Sequence, residues 1–317
     1  MYKNIIVAIT LPILLVGCSL MDGTYNFAQN LSNAGMSEDP AKVLLQGAVK
    51  DASNNLATLA AKTIDQGIAN SRTNISITGV EKRKPNFSIL NVTGLGLGTT
   101  DTRQTFVQSS VRRMNARTTL NLGFGQRYLS ADETLLTGLN VFFDYDVNYG
   151  HQRASIGGEI KSSALGLTAN SYEALTKWKT GRNSSRERAL DGYDIELGVQ
   201  VPYIPSGKIY AKNWKWNVNN GTDFKGNTYA LAFSHVFGYG LSFELGMKDF
   251  DGTAADQNFI KVTYGIKLGE PLPGRNASFF SDNMFERTSM APNMLDEVRR
   301  NNAIVVETEF TAGVGGV

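Results

Sequence analysis

The sequence predicts an all-β protein: an antiparallel transmembrane β-barrel of about twelve strands, with a short helical N-terminal segment. Three observations carry that prediction. Between about Thr73 and Leu268 apolar residues recur at every second position, which sets them on one face of a strand and their neighbours on the other. The runs are about ten residues long, the length a tilted strand needs to cross a bilayer. The polar face is crowded with glycine and mixed charge, as in a lumen rather than on a broad solvent face. A soluble sandwich or ligand-binding barrel would alternate in the same way. Strand length and the aromatics near strand ends favour the membrane.

Composition removes other classes. The chain has 317 residues, with 31 Lys+Arg against 29 Asp+Glu and a net charge of +2. A nucleic-acid-binding domain is normally clearly basic, so no nucleic-acid partner is expected. The single cysteine excludes an intrachain disulfide and a cysteine-based zinc cluster. Two histidines, His151 and His235, leave little for a metal site, and no cofactor is implied. Ser234 and His235 are adjacent, but neighbours in a strand point to opposite faces and cannot readily share a proton. The chain does not read as an enzyme.

The elements follow in order. Residues 1–18 read MYKNIIVAITLPILLVGC, a positive start and an apolar run too short to span a bilayer as a mature helix. That is the layout of an export signal. Its ending, Leu15-Val16-Gly17-Cys18, resembles a bacterial lipobox and makes Cys18 the expected lipidation site. Residues 19–72 are expected to form a periplasmic tether and amphipathic helix. The first part is polar and rich in Gly, Asn and Ser. In the second, Val43, Leu44, Val49, Leu56, Leu59, Ile64 and Ile68 recur mostly at three- and four-residue steps or their sums.

The barrel is placed at 73–268, with strands at 74–81, 86–96, 104–114, 117–129, 134–147, 151–161, 164–178, 192–201, 207–216, 226–236, 240–249 and 257–268. The clearest sets Tyr193, Ile195, Leu197, Val199 and Val201 against Asp194, Glu196, Gly198 and Gln200. Leu197→Arg should therefore impair assembly, and Gly198→Ser should not. Leu90, Val92 and Phe106 break the alternation in the first three strands. The candidates for the lumen are Arg127, Asp144, Glu159, Lys161, Glu196, Glu244, Lys248 and Lys261. Tyr145, Tyr149, Tyr172, Trp178, Tyr193, Tyr203, Tyr210, Trp214 and Trp216 fall near strand ends and fit interfacial girdles. An even strand count leaves both ends of the barrel in the periplasm.

Four blocks resemble the intimin/invasin translocator barrel, also called the inverse autotransporter β-domain. They are Arg117-Thr-Thr-Leu-Asn-Leu-Gly-Phe-Gly-Gln-Arg-Tyr128, Leu139-Asn-Val-Phe-Phe-Asp-Tyr145, His151-Gln-Arg-Ala-Ser-Ile-Gly-Gly-Glu159 and Ala189-Leu-Asp-Gly-Tyr-Asp-Ile-Glu-Leu-Gly-Val-Gln-Val-Pro-Tyr203. They occur in the family's order, and the match covers about 73 to 307. The resemblance implies a Gram-negative outer membrane, its lipids and the barrel assembly machinery as partners, and a C-terminal linker that threads the pore; the alternative is a small porin-like or purely structural outer-membrane barrel, a truncated adhesin relic. Met294 to Glu307 looks like that linker, within a linker and tail spanning 269–317. Met294, Leu295, Val298, Arg299, Arg300, Asn301 and Ile304 are its candidate residues. It is expected to begin as a helix over 293–300 near Pro292 and Asn293, then to extend at Ile304-Val-Val. Arg299 and Arg300 are expected to meet Glu159, Glu196 or Glu244, and Asp296 and Glu297 to meet Lys161, Lys248 or Lys261. Two features depart from the family. Only ten residues, 308–317, follow Glu307, so no folded passenger domain is expected in cis. Residues 19–72 read as helical, without the family's frequent peptidoglycan-binding domain.

Overall fold

Twelve antiparallel strands close into a barrel in a computed structural model that describes residues 71–79, 86–219, 221–236, 240–252, 254–267 and 279–309. The export signal with Cys18, the tether and helix up to residue 70, and the last residues 310–317 lie outside the described residues. No helix among the described residues is long and apolar enough to cross a membrane.

The wall consists of β1 (Ser71–Thr78), β2 (Asn86–Thr100), β3 (Arg103–Met114), β4 (Arg117–Leu129), β5 (Leu136–Asp146), β6 (Gln152–Lys161), β7 (Leu165–Ala174), β10 (Asp191–Val201), β11 (Ile204–Asn217), β12 (Phe224–Val236), β13 (Leu241–Phe250) and β14 (Gln257–Lys267). Each pairs with its neighbour in sequence, with β7 beside β10. The ring closes where β1 pairs with both β2 and β14, so that Ile75 faces Ile89 on one side and Tyr264 on the other. Closure leaves no strand edge with unpaired backbone groups, the condition for placing a sheet in hydrocarbon.

Alternation decides which side chain sees which medium. In β10, Tyr193, Ile195 and Leu197 are exposed on the outer face, whereas Asp194, Glu196 and Gln200 are buried inside. Leu139, Val141, Ile156 and Ile160 continue the apolar belt on the strands nearby. Inside, glycine makes room for large rings. A Cβ on Gly123 would lie 2.2 Å from the Phe142 ring, and one on Gly125 would lie 2.3 Å from Phe106.

The two rims differ. One carries tight connections at 101–102, 162–164 and 202–203. In the last, Pro202 is followed by Tyr203 at φ 63°, the left-handed position of a tight turn. The other rim carries the long connection 175–190, which holds β8 (Lys179–Thr180) and β9 (Arg186–Ala189). These two join β15 (Val306–Thr308) in a separate three-stranded sheet, ordered β15-β9-β8.

Three expectations are corrected. The seventh wall strand ends at Ala174 rather than 178, because the chain there turns into the small sheet. No helix spans 293–300: after a single 3₁₀ turn at Ala291–Asn293 and a last internal bond from the Asp296 N–H to the Asn293 carbonyl at 3.0 Å, the chain is irregular and backbone groups such as the Val298 and Asn301 N–H bond to wall side chains. Tyr172, Tyr210, Trp214 and Trp216 are no girdle. All four occupy inward positions; Tyr210 lines the lumen, and the other three pack, buried, with Leu190, Phe250 and Val305.

Candidate functional site

The protein's own C-terminal segment lies in the lumen. At the tight-turn rim the Met290 N–H donates to the Glu133 carbonyl at 2.7 Å. At the far rim the Leu190 N–H donates to the Val305 carbonyl at 3.0 Å, and β15 pairs with β9 through Val306 opposite Ala189. Residues 290–308 thus run the length of the barrel. An irregular segment has no ladder of its own, so its buried backbone groups need partners from the wall. Side chains supply them. Arg127 donates to the carbonyls of Met294 and Asp296 at 2.9 and 2.6 Å. Gln108 accepts from the Val298 N–H at 2.8 Å. Asn170 donates to the Arg299 carbonyl at 3.0 Å and Arg153 to the Asn301 carbonyl at 2.7 Å. The Tyr172 hydroxyl accepts from the Asn301 N–H at 2.7 Å, and Asn121 donates to the Asn302 carbonyl at 3.0 Å.

The charged residues of linker and wall pair in several groups. Arg300 binds Asp144 through two nitrogens at 2.9 and 2.7 Å, while Arg153 holds the same carboxylate from the next strand at 2.9 Å. All three side chains are fully buried. On the opposite wall, Arg299 pairs with Glu196 and lies 3.5 Å from Glu244, with Lys212 also on Glu196 at 3.2 Å. Its guanidinium stacks 3.7 Å above the Tyr210 ring. Nearer the tight-turn rim, Arg127 and Lys161 share Glu159 at 2.5 Å each. Asp296 pairs with Arg72, and Glu297 accepts from Asn74 at 2.8 Å with Lys261 at 3.6 Å.

Several expected pairings are therefore replaced. Arg300 meets Asp144, not Glu159, because Arg127 and Lys161 already occupy Glu159. Lys161 is likewise committed to Glu159, and Asp296 takes Arg72. Lys248 lines a cavity of about 300 Å³ beside the linker, shared with Glu244 and Arg299. Gly198→Ser loses its standing as a neutral change, since a Cβ there would lie 2.7 Å from the Tyr210 ring that carries Arg299.

Apolar contacts complete the seat. Leu295 and Val298 pack on Leu90, Val92, Phe106 and Phe142. Met290 packs on Leu129 and Leu136, with Met294 against them. Ile304 and Val306 pack on Ala189. At the far rim Glu187 in β9 accepts from Arg117 at 2.6 Å and from the Arg182 N–H at 2.9 Å, with His151 Nε2 at 3.7 Å. Burial alone would raise this carboxyl, but His151, Arg117 and the Arg182 N–H outweigh it and hold it at about 2. Sequence reasoning missed Arg72, Asn74, Gln108, Asn121, Arg153, Asn170 and Tyr172. For Asn74, Gln108, Asn121 and Asn170 the visible signal is a side-chain amide inside a strand, where Asn is normally depleted.

The barrel agrees with comparisons to known proteins. The family described as Inverse autotransporter, beta-domain matches residues 25–302. The inverse autotransporter adhesin YeeJ of Escherichia coli K12 is 26% identical over 211 residues, 64% of this chain and 9% of that protein. Invasin of Yersinia enterocolitica is 25% identical over 210 residues, 64% of this chain and 25% of that protein. A putative attaching and effacing protein homolog of Escherichia coli K12 is 33% identical over 108 residues, 33% of this chain and 36% of that protein. The chain therefore corresponds to a minor part of each relative's length. A membrane protein solved in a study of in-meso crystallization superposes with a TM-score of 0.64 at 18% identity, covering 76% of this chain and 100% of that one. At that identity the likeness shows the fold.

Proposed function

The chain belongs to the inverse autotransporter β-domain family, intimin/invasin-like translocator barrels of the Gram-negative outer membrane, and we propose that it threads its own C-terminal segment to the cell surface. The observation that carries this is the course of residues 290–308, which enter at the tight-turn rim and leave at the rim of long connections. In outer-membrane barrels short turns face the periplasm and longer loops face outward. The even strand count brings β14 back to the side where β1 starts, so a C-terminal segment reaches the surface only through the pore. Lumen side chains replace water around its polar backbone, which lipid could not do. Met294, Leu295, Val298, Arg299, Arg300, Asn301 and Ile304 act as the pore linker, and Arg127, Asp144, Glu159, Lys161, Glu196, Glu244, Lys248 and Lys261 as lumen residues. The protein depends on outer-membrane lipids and on the barrel assembly machinery. Residues 1–18 serve as a lipoprotein-type signal with Cys18 as the lipidation site.

An epitope tag placed after Val317 tests the reading. It should be stained by antibody on intact cells, whereas a tag near Asn30 should need permeabilised cells. Staining of the C-terminal tag only after permeabilisation would place the tail in the periplasm and overturn the proposal.

A further inference from the structure

The tail makes a second set of contacts before it enters the lumen. Phe233 belongs to the outer face of β12, the face that carries exposed Tyr229, while Ala230 is buried on the other. Its partners Gly207 and Phe243 place it near the tight-turn rim. The ring of Phe279 stacks on Phe233 with centroids 6.1 Å apart and planes at 28°. Phe280 meets Phe279 edge-on at 5.1 Å. Residue 279 thus lies against the outside of the barrel, not within it.

From there the chain crosses the rim as a strap. The Ser281 N–H donates to the Tyr203 carbonyl at 2.8 Å, and the Tyr203 N–H donates to the Met284 carbonyl at 2.9 Å. Ser163 in the next turn donates to the Glu286 carbonyl, Arg287 pairs with Asp132 at 3.0 Å, and Met290 reaches Glu133. These bonds tie the strap to the turns, yet its largest side chains are not covered. Phe280 is 66% exposed, Met284 51%, Phe279 48% and Phe285 43%. Four large apolar side chains within seven residues are costly in water. Continuity with Phe233 places Phe279 and Phe280 on the surface that meets lipid, at the depth where aromatic rings collect in outer-membrane barrels.

We propose that Phe279, Phe280, Met284 and Phe285 form an interfacial anchor that inserts into the phospholipid leaflet around the tight-turn rim. The anchor and the hydrogen-bonded strap together fix the point at which the tail enters the pore. The inference rests on the barrel's place in the outer membrane and not on export. A tail that never reached the surface would leave it intact, and a failed anchor would leave the export reading open.

The only cysteine of the chain is Cys18, so Cys18→Ser gives a background for spin labelling of the full chain. Phe280→Cys, Asp282→Cys and Leu139→Cys would each carry a nitroxide in vesicles of phosphatidylethanolamine and phosphatidylglycerol. Leu139 reports the lipid belt and Asp282 the water side of the strap. The label at 280 should be relaxed mainly by oxygen and little by a water-soluble nickel chelate, close to the label at 139. Nickel access equal to that at 282 would overturn the proposal. Protection that grows with the protein-to-lipid ratio would assign the patch to a second copy and overturn it too. In the same vesicles, Phe279→Ser combined with Phe280→Ser should speed tryptic cleavage after Arg287 several-fold while the barrel keeps its heat-modifiable mobility. Unchanged cleavage would show that the rings do not hold the strap.

Discussion

Arg300 is the residue on which seating of the linker depends most. Its guanidinium makes a two-point contact with Asp144 and further hydrogen bonds to Ser155 and Asn302, all buried. Removing one member of a buried ion pair typically costs about 3–5 kcal/mol. Here Asp144 keeps Arg153 and Asn121, so the charge is not stranded and the wall should still close. Arg300→Ala should thus leave heat-modifiable mobility intact while residues 294–305 become several-fold more open to protease added from outside. Loss of the folded band would show that the linker is required for closure itself. Leu197 makes the opposite argument from the outer face, where it is exposed between Leu167 and Ala211. Leu197→Arg should cost about 2–4 kcal/mol near the bilayer centre and reduce the folded band. The matched control is Gly166→Ser on the lumen side, where a Cβ meets only the Lys161 side chain at an ordinary 3.4 Å. Equal tolerance of the two would mean that the outer face is not in lipid.

At the level of elements, the small sheet of β8, β9 and β15 ties the end of the linker to the wall through Glu187, which pairs with Arg117 of β4. Its carboxyl is held at about 2 against an ordinary 4.5. A depressed value means that the contribution is fully present above about 4.5 and is lost as pH falls through about 2. Hydrogen-exchange protection of Val306–Thr308 should therefore fall between those limits, and Glu187→Gln should be weaker at neutral pH and flat across the window. An unchanged slope in that variant would assign the acid sensitivity to another group. This sheet was not legible in the sequence. Strands of two to four residues are too short to show a period, and their pairing is set by a linker arriving through the pore. The wall strands were legible wherever the outer face is apolar and the inner face polar, as in β10 and β13. Leu90, Val92 and Phe106 look like faults in the pattern because they are apolar residues on the lumen face, and they are the ones that seat Leu295 and Val298. The expected helix over 293–300 failed for a related reason. Pro292 and Asn293 start only a single 3₁₀ turn, and beyond it Leu295 and Val298 pack on one apolar patch while wall side chains take hydrogen bonds that a helix would have used. The pairing of Arg300 with Asp144 rather than Glu159 depends on which wall sites are already filled, and no local pattern encodes that.

At the scale of the whole molecule, the linker divides the lumen unequally. Leu295 and Val298 press it against the wall of β2, β3 and β5. Toward the opposite wall it leaves crevices of about 170 and 300 Å³. Both are lined by Glu196, Glu244, Lys261, Glu297 and Arg299, so the two meet at a waist crossed by the Arg299 ion pairs. Ions passing the seated linker must squeeze through that waist, and the intact protein should conduct weakly in a planar bilayer. Deleting residues 290–317 removes the linker but keeps the strap up to Ser289 and every wall strand. The lumen then loses Leu295, Val298, Arg299 and Arg300 together, and water fills the space between Asp144 and Glu196. Conductance of the truncated barrel should rise several-fold. Its ion selectivity should change little, because Arg299 and Arg300 leave together with Asp296 and Glu297, which frees Arg72 and Lys261 as well as Glu196 and Glu244. The measurement is single-channel current with a reversal potential under a salt gradient. Equal currents from the two proteins would mean that the linker does not occupy the pore in the membrane, and the buried arginine pairs would then not describe the working state of the barrel.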